Sequence, residues 1–81
     1  MDFRSYRNSQ GWTLDQAAEL LSTKDVRITG SMVRKHEEGI HVPRPDAIER
    51  YRVLTGCKVT ADDFVKANRQ YMQRKRSRAA A

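Results

Sequence analysis

Apolar side chains recur at intervals of three and four along most of this chain, and turn-forming residues interrupt them. The clearest stretch is Trp12 to Gly39, two short helical patterns separated by a polar interval. In the first pattern Leu14, Ala17, Ala18 and Leu21 share one face, and Thr13 with Gln16 has the spacing of a capping box. The second opens at Thr29, where Ile28 and Val33 have the spacing of a hydrophobic staple. Gly39 is suited to end it in the left-handed conformation. Upstream, Asp2 is expected to cap a first helix running to Gly11, with Phe3 and Tyr6 facing inward. Downstream, Pro43 and Pro45 stiffen a connector, and Pro45 suits a first helical position. Ala47, Ile48, Tyr51 and Leu54 mark a fourth helix that Gly56 terminates. Thr60 is expected to cap a fifth, with Asp62 and Asp63 in its first turn and Phe64, Val65, Tyr71 and Met72 along its apolar side. The expectation is a compact all-α, five-helix domain over residues 1–72, followed by a basic tail over 73–81.

Composition narrows this in two ways. Eighty-one residues, 38% of them hydrophobic and 32% charged, allow one domain with a small core. No apolar run approaches the roughly 20 residues that span a bilayer, no signal peptide is evident, and the single Cys57 has no internal disulfide partner. A soluble cytoplasmic domain without membrane contact is therefore expected. The net charge of +6 is concentrated at one end. Residues 1–68 hold eleven Lys or Arg against ten Asp or Glu, while Arg69, Arg74, Lys75, Arg76 and Arg78 have no acid among them. A second, local excess lies in Ser22–His36, where Lys24, Arg27, Arg34 and Lys35 face Asp25 alone. Ala79–Ala81 carry no signal and are assigned no role; a cloning remnant would look the same.

Turning Val33, His36 and Glu37 inward on the third helix leaves Ser31, Met32, Arg34, Lys35 and Glu38 outward. A hydroxyl, a thioether and two cations near a helix start suit the major groove of DNA. Hydroxyls bond either kind of base edge, cations seek guanine, and apolar groups meet thymine methyls. A solvated face on an ordinary helical hairpin has the same composition. Enzymatic chemistry finds no foothold. His36, His41 and Cys57 are the only soft-ligand candidates, and the two histidines are five apart rather than the four that puts two ligands on one helical face. Asp62 and Asp63 read as helix-start residues, and neither a phosphate-binding glycine loop nor a nucleophile triad can be assembled. No metal, cofactor or small-molecule ligand is expected.

The order W-T-x-x-x-A-A-x-x-L from Trp12 to Leu21, then T-x-S-x-V-x-K-x-E-x-G from Thr29 to Gly39 and Pro43 four residues on, resembles the helix-turn-helix of the lambda repressor and Cro family. The resemblance runs from about Phe3 to Val65. It departs from that pattern in two places: Thr23–Arg27 looks inserted after Ser22, and Leu14 stands where many relatives carry a glutamine that braces the DNA backbone. What it implies is a lambda-repressor-like domain whose second and third helices form the helix-turn-helix. Ser31 and Lys35 would read bases, with Met32 and Arg34 supporting. Phosphate contacts would fall to Thr13, Thr29 and Arg44. On charge alone, Lys24 and Arg27 would reach phosphates from their interval, for which a solvated loop is an equal reading, and Arg74, Lys75 and Arg76 would do so from the basic tail. The family pairs an arginine at Arg7 with the glutamate at Glu37, which would tie the first helix to the third. The implied function is a small dimeric repressor of an inverted-repeat operator on duplex DNA, in a phage, plasmid or other mobile-element operon. The stripe of Phe64, Asn68, Tyr71 and Met72 extends beyond what so small a core needs and is expected at the homodimer interface, against the plainer reading of a frayed helix end with exposed apolar residues. Two alternatives stand beside it. One is an antitoxin or adaptor that grips another protein through the fifth helix; the other is a basic RNA-binding protein, against which the aromatics sit at core positions.

Overall fold

The computed structural model describes residues 1–80, with side chains described through Arg78; Ala81 lies outside the described residues. Five helices follow one another, and among the described residues there is no strand: α1 (Phe3–Gln10), α2 (Leu14–Leu21), α3 (Gly30–Glu38), α4 (Pro45–Leu54) and α5 (Ala61–Ala80). None of them is long and apolar enough to cross a membrane.

Local signals account for most of the helix ends. The Thr13 hydroxyl accepts from Gln16 N–H at 3.1 Å while the Gln16 amide oxygen accepts from Thr13 N–H at 2.9 Å, so α2 starts with a complete capping box. Thr29 caps α3 by accepting from Met32 N–H at 3.2 Å. Gly39 ends α3 at φ +82°, and a Cβ there would collide with the Ala67 carbonyl of α5. Both the left-handed turn and the close approach of α5 require glycine. Two expected caps differ. Asp2 occupies the N-cap position of α1 but its side chain makes no cap hydrogen bond; the neighbouring Met1 amino group instead pairs with Asp63 at 3.2 Å, which holds the entry to α1 against the first turn of α5. At Thr60 the bond is reversed: the Asp63 carboxylate accepts from Thr60 N–H at 2.8 Å. A carboxylate in the first turn of a helix is favoured by its positive end, so Asp63 does the capping.

Tyr51 sits at the centre, with no exposed surface. Its ring meets Phe3 edge-on at 4.7 Å and Phe64 at 4.6 Å between centroids, which joins α1, α4 and α5. Ala17, Ala18, Leu21, Ile28, Val33, Ala47 and Val59 complete the core. The small Ala17 and Ala18 let α2 pack closely, and the large aromatics fill the space that remains. Asn68 of α5 donates to Gly39 O at 2.9 Å, so α5 closes the carboxyl end of α3.

The fifth helix differs from expectation in one respect: Val65 is exposed, whereas Phe64 alone seals the core. The helix continues without a break through Gln73 to Ala80, so the basic segment forms its last turns.

Candidate nucleic-acid interface

The outer side of α3 is built from the inside. Val33 and His36 are buried beneath it, and the Glu37 side chain is only 1% exposed. Arg7 holds that carboxylate with two bonds, Nε to Oε2 at 2.7 Å and Nη2 to Oε1 at 3.1 Å, and its Nη1 donates to Trp12 O at 3.0 Å. Arg4 adds Nε to Oε1 at 3.2 Å. The fork matches the two carboxylate oxygens, and the hydrogen bond to Glu37 pushes the Arg7 guanidinium above its ordinary range. One carboxylate therefore fixes α3 to α1 and to the start of α2.

His36 lies on the same inner face, where its Nδ1 and the Tyr51 hydroxyl share a hydrogen bond of 2.8 Å. Burial, and then the nearby charge of His41, lowers the His36 pKa to about 4, so the ring is neutral at pH 7. Burial pushes the Tyr51 phenol well above its usual range, so it keeps its proton. An uncharged, hydrogen-bonded pair costs the core far less than a buried cation would.

Eight residues, Ser22–Thr29, join α2 to α3. Their order comes from Ser22, whose hydroxyl donates to Ala18 O at 2.8 Å, lies 3.0 Å from Ile28 O, and accepts from Ile28 N–H at 3.0 Å. Thr23 N–H donates to Val26 O at 2.7 Å and the Thr23 hydroxyl accepts from Val26 N–H at 3.0 Å. This is an ST-type turn that projects Lys24 and Asp25 outward and drops Val26 against the core. The stretch that looked inserted is thus a closed loop anchored at both ends.

On the outer side Ser31 and Arg34 are exposed and Met32 is 37% exposed. Arg34 Nη1 is paired with Glu38 one turn on at 2.9 Å, which turns its guanidinium along the helix. Lys35 is half-buried and leaves the exposed ridge for a groove beside it. That groove, of about 530 Å³, lies between the Ser22–Thr29 loop, α3 and the connector into α4, and it gathers Arg27, Met32, Lys35 and Arg44. Thr13 and Thr29 use their hydroxyls as caps and are exposed residues at the starts of α2 and α3. Lys24 is exposed on the loop but does not line the groove. Arg74 lies apart from it, with Gln70 and Arg78 in a shallow depression on α5; Lys75 and Arg76 are exposed on the same stretch.

The expected homodimer residues are not one free stripe. Phe64 is 3% exposed and belongs to the core, because it meets Tyr51 and His36. Asn68 is committed to Gly39 O. Tyr71 is half-buried and Met72 is 47% exposed. A helix face offset by one residue, carrying Val65 and Met72, is what α5 leaves open.

Three structural residues escaped the sequence reading. Arg50 Nε donates to Leu21 O at 2.8 Å and closes the carboxyl end of α2 from α4. Thr55 accepts from Val59 N–H at 3.1 Å and donates to Tyr51 O at 2.8 Å, which holds the turn after α4. Asp15 crosses over Gly30, where a Cβ would overlap its carboxylate, so Gly30 allows the amino ends of α2 and α3 to approach. Arg50 acts across a sequence distance of 29 that no local pattern encodes, whereas the Thr55 bonds span only four residues on either side. Among the described residues no group of three or more His, Cys, Asp or Glu is placed to hold a metal.

No family model, no curated protein and no solved structure matches the chain.

Proposed function

We propose that this protein is a sequence-specific DNA-binding regulator in which α2 and α3 form a helix-turn-helix of the lambda-repressor and Cro type. The observation that carries the proposal is the two-sidedness of α3. Its inner side is fixed by buried Val33, the His36–Tyr51 bond and the Arg7–Glu37 fork, while its outer side presents Ser31, Met32 and Arg34 over exposed surface. A helix held this firmly offers its outer side chains from a backbone with little entropy left to lose on binding. Arg27 and Arg44 line the groove beside it, from which they would contact phosphates and orient a duplex, while Lys35 would reach a base edge from the groove rim. Repression follows by occlusion of the promoter, and two copies would read an inverted repeat.

The test is selection of duplex DNA from a random pool by the purified protein, followed by footprinting on the region upstream of its own coding sequence. Enrichment of a palindromic motif with half-sites about one helical turn apart supports the reading. Recovery of unselected sequence at equal affinity throughout refutes it.

A further inference from the structure

We propose that the groove between the Ser22–Thr29 loop, α3 and the α4 connector is a binding site for a small organic anion with an apolar body. This goes beyond the DNA reading and does not rest on it. The volume of about 530 Å³ falls within the range of small-molecule sites, about 300–1,000 Å³. The floor is apolar and firm, made of buried Ile28 and Ala47 beside the hydrogen-bonded His36 ring.

Both walls are preformed. Ser22 and Thr23 tie the loop on one side, and buried Pro43 with Pro45 stiffens the connector on the other. A groove with rigid walls keeps its shape when empty, so a ligand meets little ordering cost. Two of the large apolar side chains that the molecule leaves exposed, Met32 and Val42, stand at this groove, and half-buried Val26 joins them. An apolar body laid there would cover all three.

The charge specifies the other end of the ligand. Arg27, Lys35 and Arg44 line the groove against Asp25 and Asp46. Asp46 Oδ1 accepts from Ala47 N–H at 2.8 Å, so that carboxylate is turned to the start of α4. Three cations against two carboxylates leave an excess of one positive charge, which favours a carboxylate, sulfonate or phosphate group. A bare phosphate would satisfy the cations and leave Val26, Met32 and Val42 uncovered, and the apolar lining is the reason for committing to an organic anion.

The experiment titrates the protein with 8-anilinonaphthalene-1-sulfonate and, separately, with inorganic sulfate, following backbone amides by two-dimensional NMR. Saturable shifts confined to residues around Val26, Lys35, Val42 and Arg44 are expected with the aromatic sulfonate, with sulfate at least ten times weaker. Arg44→Gln and Val42→Asp change exposed side chains and should leave the melting curve nearly unchanged, yet each should weaken the sulfonate at least fivefold. Shifts scattered over the surface, an affinity indifferent to both substitutions, or sulfate binding as tightly as the aromatic probe would each overturn the proposal. Because no DNA is present, the outcome is independent of whether a duplex is ever selected.

Discussion

Glu37 shows how one side chain can set the position of a helix. Its carboxylate is nearly sealed from water and is shared by Arg7 and Arg4, so removing Arg7 leaves a buried charge with a single, half-exposed partner at 3.2 Å. Breaking a buried pair from one side costs ~3–5 kcal/mol, and the remaining Arg4 offsets part of that. Arg7→Ala is expected to lower stability by about 3 kcal/mol in urea denaturation, far more than an exposed arginine change; a loss under about 0.5 kcal/mol would disprove the role. His36 gives a residue-scale prediction of a different kind. Its pKa falls from 6.5 to about 4 on folding, so between those values the unfolded chain binds more protons than the folded one. Stability is therefore full above pH 6.5 and drops as the pH falls toward 4, by up to about 3 kcal/mol from this group. His36→Gln should lower the plateau and flatten the slope between pH 7 and 5. An unchanged slope in the variant would assign the acid sensitivity to carboxylates instead.

At the scale of elements, helix starts were legible wherever a cap and its partner lie three residues apart, as at Thr13 and Gln16. Such signals are local and survive any tertiary arrangement. The phase of α5 was not legible. Phe64, Val65, Tyr71 and Met72 fit one broad stripe on paper, but Phe64, Ala67, Asn68 and Tyr71 are the side that meets the body, while Val65 and Met72 stand one position round, exposed. A helix of 20 residues rich in charge has too few apolar positions to fix its own rotation, and Tyr51 and Gly39 on other elements fix it instead. The same limit applied to α3. Its inner residues were readable because burial of Val33, His36 and Glu37 follows helical spacing, whereas the turning of Lys35 into the groove depends on a loop and a connector distant in sequence. On the proposed DNA reading, Lys35 remains within reach of a base edge from the groove rim. Lys35→Ala should then cost about 1–3 kcal/mol on the selected operator and much less on random duplex. Equal weakening on both, measured by fluorescence anisotropy at fixed salt, would make it a phosphate contact.

For the whole molecule, the proposed DNA reading requires one small domain to acquire enough specificity to find a site, and α5 bears on that directly. A single reading helix covers a few base pairs, so the proposed regulator needs a second copy related by a twofold axis. With Phe64 in the core and Asn68 held by Gly39, the surface left for self-association is the face bearing Val65 and Met72, bordered by half-buried Tyr71. Every residue from Met72 to Arg78 is exposed, and α5 runs through them as continuous helix, so there is an extended surface for a partner helix to lie along. The cost is charge: Arg69, Arg74, Lys75, Arg76 and Arg78 repel their copies across any twofold axis, and the association should therefore strengthen as salt screens them. DNA binding through phosphates weakens with salt, so the two effects separate cleanly. Val65→Asp with Met72→Asp should leave the fold intact, since both side chains are already exposed, and should shift sedimentation from dimer to monomer at micromolar concentration. The same double variant should weaken binding to a two-half-site duplex far more than to a half-site duplex. Wild-type protein that sediments as a monomer at high salt, and that binds half-site and full-site duplexes equally well, would remove the dimer from the proposal and leave α5 as a surface for a different partner.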